Sequence, residues 1–314
     1  MPSEVLIKGR DADFFAERLA VALPALRFHA ARDPAEVLAL GGNADILIIR
    51  TDEIFAELVD AMPKLRLIQA LTTGTDHIQA LPNLPRHVAL SAARGFHGAQ
   101  MSELAFIFML HFVRDIRDLF ATQDAKRWNR VEQSLLENRT AVIVGVGAIA
   151  EELAIRCKAF GMRVVGVSNG RSAAPDFDAI LPRARLNEGA AQADFLIVLV
   201  PHNKETDKLI DAAVLRAMKP SGVLINIARG GVVDEDALIA ALRNKEIAGA
   251  GLDVFRTEPL PKESPFWDLP NVFITSHVGG MSNTYGEQVM PLLVENLRAF
   301  VGGHVQRMKF IVKR

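Results

Sequence analysis

Short apolar runs alternate with amphipathic stretches along almost the whole chain. In the first third, the pattern predicts strands at residues 5–7, 45–49 and 65–70, and a helix at residues 11–23. From residue 140 onward the apolar runs are unbroken, which is typical of strands buried on both faces of a sheet. These runs are residues 141–144, 163–167, 195–200, 223–227, 250–254 and 272–275. Alternating strands and helices predict an α/β fold with parallel sheets and right-handed crossovers.

Two longer helices are predicted at residues 102–120 and 283–300. The first would lead from the opening strand–helix unit into a second one, and the last is long enough to cross back to the first. We therefore expect one domain formed by residues 1–103 together with 284–314, and a second formed by residues 104–283. A chain of 314 residues is long enough for two domains.

Composition narrows the classes of function. Half of the residues are hydrophobic and the formal net charge is −1, so no excess of basic charge is available for a nucleic-acid backbone. The single cysteine, Cys157, cannot form an internal disulfide and offers no thiolate cluster for a metal. The first ten residues do not resemble a signal peptide, and the apolar stretch at 104–113 is shorter than the roughly 20 residues that span a bilayer. We expect a soluble cytoplasmic protein with no metal site and no membrane or nucleic-acid partner.

A glycine-rich turn follows the strand predicted at 141–144. Residues 145–150 read Gly-Val-Gly-Ala-Ile-Ala, which fits the dinucleotide-binding pattern G-x-G-x-x-G/A and leads directly into a predicted helix. Gly145 permits a tight turn, Gly147 lets the backbone approach a pyrophosphate, and the helix N-terminus at Ala148 and Ile149 favours negative charge. The strand–turn–helix context favours dinucleotide binding over a merely structural turn.

The end of the next strand indicates which dinucleotide is bound. NAD usually requires a carboxylate about 20 residues after the glycine turn, to hold the ribose hydroxyls. Here the strand ends at Val167 and continues with Ser168, Asn169, Gly170 and Arg171. Hydroxyl, amide and guanidinium groups suit a 2′-phosphate, so NADP(H) is favoured over NAD(H). The alternative is a solvated arginine, with Asp176 and Asp178 further along the chain.

Three polar residues follow three later strands. Arg229 comes after the run 223–227, Glu258 after 250–254 and His277 after 272–275. Because the carboxyl ends of parallel strands meet at one edge of a sheet, we expect all three at the edge that carries the glycine turn. Each residue by itself is more often a surface ion pair, a turn residue or a packed histidine. Together, beside a nucleotide site, they indicate an active site.

Ordered motifs along the chain resemble the D-isomer-specific 2-hydroxyacid dehydrogenases, in particular the glyoxylate and hydroxypyruvate reductases. The matching segments are GVGAIA (145–150), MKP (218–220), NIARGGVVDE (226–235), AGLDVF (250–255), EPLP (258–261), SHVGG (276–280) and, as a substrate loop, LTTGTDHI (71–78). The resemblance implies two doubly wound parallel-sheet domains. The flavodoxin-like domain would bind substrate, and the Rossmann domain would bind the dinucleotide.

The resemblance also implies roles for individual residues. His277 would donate a proton to the substrate carbonyl oxygen, Glu258 would orient its imidazole, and Arg229 would bind the substrate carboxylate. The backbone amides of Thr73, Gly74 and Thr75 would hold the other carboxylate oxygen. The cofactor would be lined by Val200, Pro201, Ala228, Asp253 and Gly279.

Alternative functions remain open on the sequence. The leading interpretation is reduction of glyoxylate, hydroxypyruvate or a similar 2-keto acid to the D-2-hydroxy acid. The alternatives are a nucleotide-sensing binding protein of the same fold, which would not need the three polar residues, and an NAD-dependent enzyme like phosphoglycerate dehydrogenase. The apolar helix at 104–113 needs a large partner surface. The resemblance implies that this helix forms part of a homodimer, with burial inside one chain as the alternative.

Overall fold

The computed structural model describes residues 3–314, and the chain divides into two compact units. One unit contains the chain up to Phe96 together with Ser282–Arg314, and the other contains His97–Met281. In each unit, alternate strand residues enter two separate apolar clusters, so both faces of each sheet are covered. This is the packing expected for a doubly wound sheet.

The sheet of the first unit has the strand order β2-β1-β3-β4-β5, and all of its strand pairs are parallel. This order is that of flavodoxin-like folds. Its elements are β1 (Glu4–Lys8), α1 (Ala12–Ala22), β2 (Arg27–Ala31), α2 (Pro34–Gly41), β3 (Ile46–Ile49), α3 (Ala56–Asp60), β4 (Leu67–Ala70), α4 (Asp76–Gln79) and β5 (Ala89–Ser91).

The second unit contains the larger parallel sheet, and its order, β12-β11-β10-β9-β6-β7-β8, is that of a Rossmann domain with one strand added at the edge. The predicted fold class is therefore confirmed. Its elements are α5 (Gly98–Val113), α6 (Ile116–Asp124), β6 (Thr140–Val144), α7 (Ala148–Ala159), β7 (Arg163–Val167), β8 (Ala179–Leu181), α8 (Leu186–Gln192), β9 (Phe195–Val198), α9 (Ala212–Ala217), β10 (Val223–Asn226), α10 (Glu235–Arg243), β11 (Gly249–Leu252) and β12 (Val272–Ile274).

The single helix predicted at 102–120 is wrong, because α5 and α6 are separate helices. Asp115 lies between them with φ 44°, in the left-handed region that interrupts a right-handed helix. Helix α5 is mostly buried within its own unit, where Leu104, Phe108 and Met109 join the apolar cluster under α7. Among the described residues no helix is both long and apolar enough to cross a membrane.

The chain returns to the first unit through α11 (Tyr285–Val301), which packs beside α1. Asn296 is fully buried on α11 and donates to the side chains of Gln69 (2.8 Å) and Ser91 (3.0 Å). Its side-chain oxygen accepts the backbone N–H of Lys309 at 2.7 Å. The segment after Lys309 then runs antiparallel to β5, with a bridge between Ser91 and Ile311.

Candidate active site

The glycine turn has the geometry that a dinucleotide-binding site requires. Gly145 has φ +104°, and a Cβ there would lie 2.9 Å from Val200 Cγ1. Gly147 is the N-cap of α7, and a Cβ there would meet nothing within 4 Å. Gly145 is therefore needed for conformation and packing, whereas Gly147 leaves open space where a phosphate could approach the helix N-terminus. Ala148 and Ile149 form the first turn of that helix.

The loop after β7 is held by its own polar side chains. Ser168 Oγ accepts the N–H of Gly170 at 3.1 Å, and Asn169 Oδ1 accepts the N–H of Arg183 at 2.9 Å. The guanidinium of Arg171 forms an ion pair with Glu151 on α7. Arg171 is thus engaged by a carboxylate of the helix that follows the glycine turn.

Arg183 is a second cation at this loop, and it was not predicted from the sequence. It lies two residues after the short strand β8, whose Leu181 carbonyl accepts the N–H of Ser168 at 2.9 Å. Its guanidinium is half-buried and lies 3.5 Å from the exposed carboxylate of Glu205. The available signal was weak, because β8 has only three residues and all of them are only partly buried.

The groove residues predicted from the resemblance lie just after β9 and β10. Val200 and Ala228 are buried in the same apolar cluster, and Pro201 is exposed. The Pro201 carbonyl accepts the hydroxyl of Thr206 at 2.6 Å. These three residues therefore lie at the same edge of the sheet as the glycine turn.

His277 and Glu258 are in direct contact. His277 Nδ1 lies 2.7 Å from Glu258 Oε2, and Glu258 Oε1 accepts the N–H of Phe255 at 2.9 Å. Burial raises the pKa of Glu258, but these two hydrogen bonds and the charges of His277 and Arg229 outweigh it, so that the pKa lies below its ordinary value. The carboxylate is therefore charged at neutral pH and can hold the imidazole.

Arg229 reaches the same edge because of two local features. The side chain of Asn226 accepts the N–H of Ala228 (3.1 Å) and donates to the carbonyl of Arg229 (3.0 Å), which fixes the turn after β10. A Cβ on Gly230 would lie 1.9 Å from the carbonyl carbon of Phe255. Glycine is therefore required where the segment carrying Arg229 crosses the backbone before Glu258.

Asp253 organises the loop that carries His277. Its carboxylate is buried and accepts Thr275 Oγ1 (2.5 Å) and the N–H groups of Val278 (2.9 Å) and Gly279 (3.0 Å). Its carbonyl also accepts the N–H of His277 at 2.8 Å. These bonds support the left-handed φ of 53° at His277, a conformation that a non-glycine residue seldom adopts. This role was not predicted, and the contact of Asp253 with a cofactor stays a prediction.

The predicted substrate loop lies in the first unit, directly after β4. Thr73 Oγ1 donates to the Ala93 carbonyl (2.9 Å), and Thr72 Oγ1 donates to the Gly74 carbonyl (2.8 Å). Thr75 Oγ1 accepts a hydrogen bond from the side-chain amide of Gln79 at 2.9 Å. The structure therefore brings Arg229, Glu258 and His277 together in the second unit, while Thr73, Gly74 and Thr75 form a braced loop in the first.

Comparison with known proteins agrees with this geometry. Residues 106–279 match the family described as D-isomer specific 2-hydroxyacid dehydrogenase, NAD binding domain. The chain is 33% identical over 269 residues to a glyoxylate reductase of Thermococcus litoralis, covering 83% of this chain and 81% of that protein. The chain belongs to the D-isomer specific 2-hydroxyacid dehydrogenases and is an NAD(P)-dependent oxidoreductase of 2-keto and 2-hydroxy acids.

Solved structures show the same relationship over the full length. A D-isomer specific 2-hydroxyacid dehydrogenase family protein from Aeromonas salmonicida is 30% identical, with a TM-score of 0.93 over 100% of this chain and 99% of that one. An NADPH-dependent glyoxylate/hydroxypyruvate reductase from Sinorhizobium meliloti, solved with NADP and sulfate, is 26% identical. Its TM-score is 0.85 over 99% of this chain and 98% of that one.

Proposed function

We propose that this enzyme uses NADPH to reduce a small 2-keto acid, such as glyoxylate or hydroxypyruvate, to the D-2-hydroxy acid. The observation that carries the proposal is the 2.7 Å contact between His277 Nδ1 and Glu258 Oε2. A histidine held by a charged carboxylate at one ring nitrogen can donate a proton from the other. That is the group needed when a carbonyl is reduced to an alcohol.

Each polar residue has one task in this proposal. Bound NADPH supplies the hydride that reaches the carbonyl carbon. His277 gives a proton to the carbonyl oxygen, and Glu258 holds its imidazole through Nδ1. Arg229 holds the substrate carboxylate through charge-assisted hydrogen bonds. The backbone amides of Thr73, Gly74 and Thr75 bind the other carboxylate oxygen of the substrate.

The preference for NADPH is supported by the residues at the end of β7. The glycine turn would hold the pyrophosphate, and Ser168 and Asn169 offer hydrogen-bonding groups for the ribose phosphate. No carboxylate occupies the first positions after β7, where NAD enzymes use one. Arg171 and Arg183 provide cations on either side of this loop. Because Glu151 competes for Arg171 and Glu205 lies at 3.5 Å from Arg183, both would exchange partners when phosphate binds.

The substrate class follows from the charges at the carboxyl edge of the first sheet. Lys8 lies 2.6 Å from Glu53, and Arg50 lies 3.2 Å from Asp52 and 4.0 Å from Glu53. These two cations are balanced by two carboxylates, so this part of the edge does not favour a second anionic group on the substrate. A substrate with one carboxylate is therefore preferred to a phosphorylated one of the phosphoglycerate type.

A cytoplasmic homodimer completes the proposal. Helix α5 is mostly buried in its own unit, but α6 and the segment after it expose Phe120, Trp128 and Leu135. Several large apolar side chains exposed close together along one segment are typical of a protein–protein interface. A second copy of the chain is the occupant we propose, and the molar mass in solution tests it. The reducing cytoplasm fits Cys157, a buried free thiol.

The deciding experiment measures the loss of reduced-nicotinamide absorbance with NADPH or NADH and a panel of 2-keto acids. We expect turnover with glyoxylate or hydroxypyruvate, faster with NADPH, and little turnover with 3-phosphohydroxypyruvate. His277→Ala should lose turnover while keeping its affinity for NADPH. Nucleotide binding without turnover of any 2-keto acid would instead favour the nucleotide-sensing protein.

A further inference from the structure

Tyr285, the first residue of α11, is linked to the predicted substrate loop. Its hydroxyl donates to the carbonyl of Leu71 at 2.5 Å, across 214 residues of sequence. Burial raises the pKa of Tyr285 and the charge of Arg50 opposes this less strongly, so the phenol stays protonated and remains a donor. Leu71 directly follows β4 and is the first residue of the predicted substrate loop at 71–78.

The carbonyl groups of this loop are held in fixed directions. The Leu71 carbonyl faces Tyr285, the Thr72 carbonyl accepts the N–H of Ala93 (3.0 Å), and the Gly74 carbonyl accepts Thr72 Oγ1 (2.8 Å). In a trans peptide the C=O and the following N–H point in opposite directions. Fixing a carbonyl therefore fixes the direction of the next amide. Tyr285 sets the first of these peptide planes.

The hydroxyl of Tyr285 is not needed to anchor α11. Val289, Leu292 and Leu293 are buried in the apolar cluster of the first unit, and Asn296 adds a satisfied polar network. A phenylalanine at position 285 would keep the aromatic ring and lose the hydrogen bond to Leu71. The distinct contribution of the phenol is therefore the orientation of the loop.

We propose that Tyr285 is a positioning residue for the reaction, whose phenol aligns the Leu71–Thr72 peptide and thereby the amides at residues 73–75 that receive the substrate carboxylate. The proposal rests on the proposed function for the use of that loop. It assigns a substrate-binding role to a residue that does not itself touch the reacting atoms. It also predicts that the role appears in KM for the keto acid.

The test compares Tyr285→Phe with the wild-type enzyme. Leaving one carbonyl without its partner should raise KM for the keto acid about tenfold. The value of kcat should change by less than about twofold, and the dissociation constant of NADPH should not change. Hydrogen exchange of the amides at residues 72–75 should become faster. Thr122→Val is the matched control, because it removes a hydroxyl–carbonyl bond to Leu119 (2.9 Å) in the second unit and should leave KM unchanged.

The outcomes separate this proposal from the proposed function. An unchanged KM in Tyr285→Phe, or an equal rise in Thr122→Val, overturns the positioning role. A parallel fall in NADPH affinity and kcat also overturns it, because general damage would then explain the loss. If the wild-type chain reduces no 2-keto acid, the proposed function fails. In that case, hydrogen exchange of the amides at residues 72–75 still tests the effect of the phenol on the loop. Faster exchange in Tyr285→Phe supports the positioning of the loop by Tyr285, and unchanged exchange overturns it.

Discussion

Replacing Glu258 with glutamine tests whether the carboxylate of this residue holds the imidazole of His277 for proton transfer. Glutamine keeps the shape of the side chain but has no negative charge, and its amide cannot accept at both Phe255 and His277 as the carboxylate does. A hydrogen bond to a charged group contributes about 1.5–3 kcal/mol. Because the two side chains are 33% and 43% exposed, solvent screening places the loss near the lower limit, about 1.5 kcal/mol.

That loss corresponds to about a tenfold fall in kcat/KM for the keto acid. Because the carboxylate holds the imidazole through Nδ1, the fall should appear in turnover of the keto acid and not in the dissociation constant of NADPH. The assay is kcat/KM at saturating NADPH with keto-acid concentration varied, together with a direct measurement of NADPH binding.

Glu235→Gln is the matched control, because Glu235 also accepts a backbone N–H, that of Arg256 at 2.7 Å, but has no bond to His277. Its kcat/KM should stay within about twofold of the wild-type value. The reasoning would be refuted if Glu258→Gln kept the wild-type kcat/KM. The lowered pKa of Glu258 also means that the pair stabilises the fold at neutral pH, and that this contribution is lost as pH falls through the lowered value.

Three further predictions follow from the same structure. Gly147→Val should fold normally but weaken NADPH binding about tenfold or more, because its side chain would occupy the open space at the start of α7. Gly42→Val, also in open space, is the control, and equal NADPH affinity in the two variants would contradict the assignment. Arg171→Ala and Arg183→Ala should each raise KM for NADPH several-fold while KM for NADH stays within about twofold, and a matching rise for NADH would remove the 2′-phosphate argument. Asn296→Ala should lower the free energy of unfolding by about 3 kcal/mol, because it leaves several buried polar groups without partners; Asn271→Ala, whose two bonds are 3.3 Å long, should cost far less in the same denaturation assay.

The central strands could be predicted from the sequence because their apolar runs are continuous. The strand at 163–167 matches β7 at both ends. Strands β2, β5 and β8 were missed, since β2 is only partly buried and the other two have three residues each. The break between α5 and α6 was missed as well. The apolar pattern continues past it, and an aspartate in the left-handed region has no distinctive pattern.

The site was predictable to the extent that its residues follow strands. The expectation that Arg229, Glu258 and His277 share one sheet edge follows from parallel topology, and the structure places them there. The hydrogen bonds that hold the surrounding loops were not predictable, because they join residues that are far apart in the sequence. Asp253 bonds to groups 22 to 26 residues later, and Tyr285 bonds to Leu71 across most of the sequence. Periodicity describes neighbours along an element and contains no information about such contacts.

The C-terminal segment that runs beside β5 has a consequence for handling the protein. The N–H of Ala92 donates to the Phe310 carbonyl at 3.1 Å, and the N–H of Val312 donates to the Leu90 carbonyl at 2.9 Å. Strand β5, at one of the two edges of the first sheet, is therefore already paired with the backbone of the C-terminal segment. An unoccupied outer strand is a template for pairing between molecules. Truncation before Lys309 would expose the edge of β5 and is expected to promote self-association of the protein. Affinity tags and fusions are therefore better placed at the N-terminus.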